Sequence, residues 1–80
     1  MFEGIRERHR KNKCARALKR LLRRRNLALD ALLPTLYHEG FTEAEIRFAL
    51  VELKKREDQL EKDIDKLLRP GQIAYMMRRR

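Results

Sequence analysis

Two runs of apolar residues, spaced alternately three and four positions apart, flank Gly40 and constrain the fold more than any other feature of the chain. Such spacing places side chains on one face of a helix and is typical of a coiled-coil seam. Leucine also outnumbers the β-branched residues 13 to 7, which favours helix over strand. The earlier run comprises Ala15, Leu18, Leu22, Leu29, Leu32 and Leu36, with Arg25 at one seam position. The later run comprises Ile46, Leu50, Leu53, Leu60, Ile64 and Leu67, with Glu57 at one seam position.

If the chain reverses at Gly40, the two seams face each other. The predicted fold is therefore all-α, an antiparallel helical hairpin of two long helices. In this register the single charged flaws also coincide, because Arg25 lies opposite Glu57, and such a pair sets alignment more readily than it stabilises. The predicted facing pairs are Leu36 with Ile46, Leu32 with Leu50, Leu29 with Leu53, Leu22 with Leu60, Leu18 with Ile64 and Ala15 with Leu67.

The boundary between the helices carries local signals of its own. Thr42 followed three residues later by Glu45 predicts a capping box, with Phe41 and Ile46 as the hydrophobic staple. Gly40 suits the left-handed residue that ends a helix. One helix should end near Glu39 and the next should begin at residue 43.

Pro34 interrupts the first helical pattern. Its ring crowds the carbonyl of Asp30, and it lacks the N–H that a helix interior requires. We therefore expect the first helix to be kinked or broken near Pro34, in the interval that starts at about Asn26. Asn26 would suit the cap of a separate helix starting at Leu27, so a three-helix arrangement remains an alternative.

The hairpin leaves several apolar side chains without a partner. Phe48 and Val51 form a second stripe on the later helix, while Tyr75 and Met76 follow Pro70. These four side chains form a predicted partner or dimer interface, and a dimer of hairpins would be a four-helix bundle. The alternative is that the C-terminal segment folds back and covers the second stripe.

Charge divides the chain differently. The net charge is +9 over residues 1–25, −4 over 26–68 and +4 over 69–80. We therefore predict a basic N-terminal arm at 1–13, the helical hairpin at 14–69 and a basic C-terminal tail at 70–80. Like-charge blocks of this kind are often interaction arms. The predicted nucleic-acid-binding residues are Arg6, Arg10, Lys13, Arg16, Lys19, Arg20, Arg23, Arg24, Arg78, Arg79 and Arg80.

Arginine outnumbers lysine 14 to 7, and the guanidinium fork matches phosphate geometry and stacks on bases. The first residues, through Arg6, Arg8, Arg10 and Lys11, resemble the arginine-rich helices with which some small phage and viral proteins grip RNA hairpins. The resemblance covers about a quarter of the chain and implies RNA ahead of DNA. We assign no protein family on the basis of this resemblance.

Other interpretations stay open at this point. The chain has the character of a small accessory, adaptor or inhibitor protein, of the kind phages encode, that docks on a larger protein or nucleoprotein complex. The segment around Gly40 also fits a helix-turn-helix. Its second helix would open with the carboxylates of Glu43 and Glu45, however, which repel phosphate and suit the helix dipole instead. A further alternative is that the basic residues form only a solvated surface that keeps the protein soluble.

The sequence offers little for an enzyme, and we expect no catalysis, no cofactor and no metal site. Cys14 is the only cysteine, which excludes an internal disulfide, and we expect it to be a small buried residue. His9 and His38 are far apart in sequence, and His38 suits a helix C-terminus. No apolar run approaches a membrane span or a signal peptide, so we expect a soluble cytoplasmic protein.

Overall fold

A computed structural model describes residues 2–24 and 28–78, with side chains from residue 4 onward. Within those ranges the chain is helical and contains no strand, so the predicted all-α class is confirmed. A single 3₁₀ turn, Asp58–Leu60, precedes α4. The described α-helices are α1 (Phe2–Arg24), α2 (Leu29–His38), α3 (Glu43–Arg56), α4 (Glu61–Leu67) and α5 (Gln72–Arg78).

The two-helix hairpin is not confirmed, because each predicted long helix is divided. The first divides between α1 and α2, inside the expected interval, whereas Pro34 itself lies within α2. The second divides at Glu57, whose φ of −121° and ψ of 85° leave the helical region. Glu57 is also exposed, so it is not half of a buried pair. Arg25 and the proposed Asn26 cap lie outside the described residues.

The direction of packing also differs from the prediction. The Arg10 guanidinium reaches the Gly40 carbonyl and Glu45, while the Lys11 ammonium lies 5.8 Å from the centre of the Phe48 ring. Further along, residues 12–19 share a groove with residues 49–56. Residue numbers thus rise in the same direction on both helices, and α1 and α3 are parallel. In the described chain α1 packs most closely against α2 and α3, so the predicted antiparallel alignment of α1 with α4 is not observed.

The core is nevertheless built from the predicted seams. Every seam leucine and isoleucine named above is buried or half-buried. The core gains residues that the seams omit, including Ile73 and Met76 from α5, which packs against α2, α3 and α4. The spacing therefore predicted that the seam side chains are buried, but it did not predict which helices they contact. The fully buried apolar side chains are Cys14, Leu18, Leu32, Leu33, Leu36, Ile46, Leu50, Ile64 and Ile73.

The turn between α2 and α3 forms as predicted. Gly40 has a φ of 95°, its N–H donates to the Tyr37 carbonyl at 3.0 Å, and the Phe41 N–H donates to the Leu36 carbonyl at 3.2 Å. These two bonds are a Schellman motif. Both halves of the Thr42–Glu45 capping box are present, and Phe41 is buried as a staple residue should be. The turn thus provides hydrogen-bond partners for backbone groups at the end of α2 and at the start of α3.

The later helices fold back on α3. The Lys54 ammonium lies 2.6 Å from the Asp65 carboxylate, and an Arg47 N–H donates to the Leu68 carbonyl at 3.2 Å, so α3 and α4 are antiparallel. Gly71, with a φ of 77°, then leads into α5. The predicted arm and tail are continuous with this fold, because α1 runs through residue 13 and α5 occupies much of 70–80. None of the described helices is long and apolar enough to cross a membrane.

Candidate nucleic-acid interface

The solvent-facing side of α1 is strongly cationic. The helix turns Cys14, Ala17, Leu18 and Leu21 into the core, which fixes the direction of its opposite side. We call the cations of residues 13–24, which lie opposite the core-facing side or on its flanks, the α1 basic face. Within the described residues, none of its members forms an ion pair with an acidic side chain. The α1 basic face comprises exposed Lys13, Arg16, Arg20, Arg23 and Arg24, with half-buried Lys19.

An open groove of about 500 Å³ runs along one flank of the α1 basic face, next to the end of α2. Four of its lining side chains are cationic and one, Glu39, is acidic. Phe41 forms an apolar part of its floor and is itself buried. We call this the α2-side groove. It is lined by Arg10, Lys13, Arg16, Ala17, Arg20, Glu39 and Phe41.

A second groove, of about 340 Å³, runs along the other flank, at the surface between α1 and α3. Its cations come from both helices, because Arg56 of α3 joins Arg16 and Lys19 of α1. Its one carboxylate, Glu52, is already paired with the Lys55 ammonium at 3.3 Å. We call this the α3-side groove. It is lined by Asn12, Ala15, Arg16, Lys19, Ala49, Glu52, Leu53 and Arg56.

Arg56 is absent from the predicted site. The sequence contains a hint of it, since α3 ends in three consecutive cations. In the predicted antiparallel hairpin, however, that end of α3 lies far from Arg16. Only the parallel arrangement of α1 and α3 brings Arg56 beside the α1 basic face.

Arg10 differs from the other predicted contacts because its donors are used within the fold. Its Nε lies 2.7 Å from Glu45 Oε2, and its Nη2 donates to the Gly40 carbonyl at 2.9 Å. The guanidinium carbon also lies 5.6 Å from the centre of the Phe41 ring. The hydrogen bond to Glu45 raises the pKa of Arg10. Arg10 therefore ties α1 to the turn that precedes α3.

Glu45 has the structural role predicted for it and a further one. Its backbone N–H donates to Thr42 Oγ1 at 3.2 Å, and its carboxylate accepts from the Thr42 N–H at 2.9 Å. Burial alone would raise the pKa of this carboxyl, but the hydrogen bonds from Arg10 and Thr42 outweigh it and lower the pKa. The side chain is 7% exposed and ionised at neutral pH.

The remaining predicted cations are scattered. Arg6 is exposed in the first turns of α1, where residues 4–10 are all exposed. Arg78 is exposed at the end of α5, and that helix does not pack against α1 in the described chain. Arg79 and Arg80 lie outside the described residues. The structure therefore groups the predicted site along the middle and end of α1.

The predicted partner interface is divided. Val51 is 37% exposed and Tyr75 is 62% exposed, whereas Phe48 is half-buried beneath Lys11. Met76 is buried at 5% exposure because α5 turns it into the core against α2. The Met76 side chain is therefore not at the surface of the single chain.

Cys14 is buried as expected. Burial is the main reason that its pKa is raised to about 12, and the nearby Glu45 carboxylate adds to the increase. The thiol is therefore protonated at neutral pH and unsuited to nucleophilic attack. His38 is the last residue of α2 and exposed, at the helix end predicted for it.

The chemistry available on the α1 basic face is the binding of anions. Guanidinium and ammonium groups donate hydrogen bonds and accept none, so the surface is matched to phosphate oxygens rather than to proton transfer. In comparisons with protein-family models, curated proteins and solved structures, the chain has no match.

Proposed function

We propose that this protein is a small, non-enzymatic nucleic-acid-binding protein of the cytoplasm. The observation that carries the proposal is the α1 basic face. Five exposed cations and one half-buried cation occupy one side of a single helix, and none of them forms an ion pair with a described carboxylate. A solubilising surface would serve as well with its charges interspersed by acidic residues, as they are on α3 and α4.

Rigidity supports the proposal. The other side of α1 is anchored by Cys14, Leu18 and Leu21 in the core and by the Arg10–Glu45 ion pair. The cations are thus mounted on a backbone whose position is set before any ligand arrives, which limits the ordering cost of binding. Phosphate neutralisation releases counterions, so the affinity should fall steeply with salt.

The proposed preference for RNA over DNA comes from the resemblance to arginine-rich RNA-binding helices. That resemblance depends on Arg6, Arg8, Arg10 and Lys11. Three of these four side chains project from the helix without a described hydrogen bond to another element. Arg10 departs from that pattern because it is engaged by Glu45 and Gly40. The preference for RNA therefore rests on fewer arginines than the sequence suggests, and direct comparison of the two nucleic acids is part of the test.

The test is an anisotropy titration of labelled RNA and DNA with a charge-reversed variant. Arg16, Arg20 and Arg23 are changed together to Glu. The matched control makes the same change to Glu at three exposed cations of α4 and the following turn, Lys62, Lys66 and Arg69. Both variants alter the net charge equally. We expect the first to lose at least about 100-fold in affinity and the control at most about tenfold, since only the first removes phosphate contacts.

Circular dichroism confirms that both variants keep their helical content. Equal losses in the two variants would show a generic charge effect and would reject the proposed site. Polyglutamate serves as a competitor without sugar or bases. If it displaces the nucleic acid at the same charge concentration, the surface is a general anion binder and the proposal fails.

A second candidate is an adaptor or inhibitor that docks on a larger protein or nucleoprotein complex. It is favoured by the exposed Val51 and Tyr75, which the packing of the single chain leaves in solvent. Self-association would use the same side chains. Changing Val51 and Tyr75 to Ser and measuring sedimentation and nucleic-acid affinity separates the two functions, because only the adaptor or dimer depends on them.

A further inference from the structure

We infer that the ligand of the α1 basic face is double-helical at the binding site and that α1 enters one of its grooves. The phosphates of one strand would lie along the α2-side groove and those of the other strand along the α3-side groove. The inference rests on the proposed function and adds the form of the nucleic acid and a second binding element, Arg56 of α3.

The two cation-lined grooves are the first reason. They lie on opposite flanks of α1, and Arg16 lines both of them, so Arg16 stands on the ridge between them. Lys13 and Arg20 line the groove on the α2 flank, whereas Lys19 lines the groove on the α3 flank together with Arg56. A single strand tracking along a helix would need cations on one flank. Cations on both flanks suit two backbones.

Size and surface chemistry agree with this arrangement. An α-helix with its side chains is about 10–12 Å across, and the major groove of B-form DNA is about 12 Å wide. Sites for single strands instead supply aromatic platforms on which bases stack. Between residues 4 and 24, α1 has no Phe, Tyr or Trp, and His9 provides its one ring. Phe41, in the α2-side groove, is buried beneath Arg10.

Each groove also has one carboxylate, and neither reverses the balance of charge. Glu52 is paired with Lys55, and three cations remain around it in the α3-side groove. Glu39 stands among four cations in the α2-side groove. Arg10, one of those four, is already paired with Glu45, so Lys13, Arg16 and Arg20 supply the charge available to phosphate there.

The groove that receives α1 must be as wide as a helix. Regular A-form RNA has a deep, narrow major groove that side chains do not read, whereas B-form DNA has a wide one. An RNA stem opened by a bulge presents the same two flanking backbones at greater separation. The shared requirement is a wide groove between two strands, and the two sources are distinguished by titration.

The experiment compares five labelled ligands of equal phosphate number: duplex DNA, a bulged RNA stem, a regular RNA duplex, single-stranded DNA and single-stranded RNA. We expect the wild-type protein to bind one of the first two at least about tenfold more tightly than the single strands at physiological salt. Equal affinity for single strands overturns the inference. Failure of the wild-type protein to bind any of the ligands overturns the proposed function itself.

Variants of each flank test the two-sided contact. Lys13→Gln removes a cation from the α2 flank, Arg56→Gln removes one from the α3 flank, and Arg69→Gln is the control at an exposed position away from α1. Each flank variant should weaken duplex binding about 3- to 10-fold and reduce the slope of log affinity against log salt by about 1. The double variant should show both losses, and the control should show neither.

If Lys13→Gln weakens binding and Arg56→Gln matches the control, the contact is one-sided. That result overturns the inference while leaving the proposed function intact. Because both residues are exposed, loss of folding is not expected, and thermal unfolding of each variant verifies it.

Discussion

Arg10 and Glu45 join the middle of α1 to the first turn of α3, with Nε of the guanidinium 2.7 Å from Oε2 of the carboxylate. The same carboxylate caps α3 by accepting the Thr42 N–H. One buried side chain thus caps the start of α3 and holds α1 against it. This relationship gives the parallel packing of α1 and α3 a specific polar anchor, beside the α2-side groove.

Replacing Glu45 should destabilise the fold. Glu45→Gln keeps an acceptor for the Thr42 N–H but removes the charge that Arg10 faces, and we expect a loss of about 1 kcal/mol in the free energy of unfolding, because Arg10 is partly solvated. Glu43→Gln is the control, since Glu43 is exposed and 3.8 Å from Arg47, and should cost less than about 0.5 kcal/mol. Urea unfolding measures both. A larger loss for the control would contradict the structural role of Glu45.

The same carboxylate should make stability depend on pH. Its pKa in the folded protein is lowered from the ordinary value of 4.5. A lowered folded pKa means that the stabilisation is complete above pH 4.5 and is lost as the pH falls further, through the folded pKa. The difference in unfolding free energy between the wild-type protein and Glu45→Gln should therefore shrink in acid. A difference that stays constant down to the acid transition would exclude this linkage.

Cys14 should be unreactive in the folded protein. Its side chain is fully buried and its pKa is raised to about 12, so neither access nor ionisation favours attack. We expect the thiol to react with an aromatic disulfide reagent at least about 100-fold more slowly in buffer than in urea at the same pH. Free cysteine in both solutions corrects for the solvent. Similar rates with and without urea would mean that the described packing around Cys14 is wrong.

The turn at Gly40 should tolerate no side chain without cost. Its φ of 95° lies in the left-handed region, and a Cβ added there meets no atom within 4 Å, so any loss comes from the backbone alone. Gly40→Ala should lower the free energy of unfolding by about 1–2 kcal/mol. Gly4→Ala is the matched control, because it is equally uncrowded but helical.

Gly4→Ala should leave stability unchanged or raise it by up to about 0.5 kcal/mol, because alanine favours helix. Thermal and urea unfolding of the two variants give the comparison. If Gly40→Ala were as stable as Gly4→Ala, the Schellman geometry at the end of α2 would not be required by the sequence.

Local features of this chain could be predicted because they depend on neighbours in sequence. The Gly40 turn, the Thr42–Glu45 capping box and the Phe41 staple involve residues within a few positions of one another, and all three are present. The spacing of the seam leucines identified the buried side chains for the same reason, since helical periodicity is a local property.

Interruptions were harder to predict. No proline or glycine lies at the break at Glu57 to predict it. Pro34, in contrast, predicts a break but lies inside α2. Local sequence therefore predicts neither outcome, and helix propensity is known to yield to tertiary context. The burial of Met76 also depends on a contact between segments distant in sequence, because α5 folds onto α2.

The sequence by itself therefore determined the all-helical class, the seam residues of the core, the turn at Gly40 and a concentration of cations in the first helix, since each follows from composition or from short-range spacing. Only the tertiary structure decided which helices meet. Two apolar seams pack equally well in either direction, because the hydrophobic effect is not directional. The parallel pairing of α1 and α3, the engagement of Arg10 by Glu45, and the place of Arg56 beside Arg16 all depend on that choice.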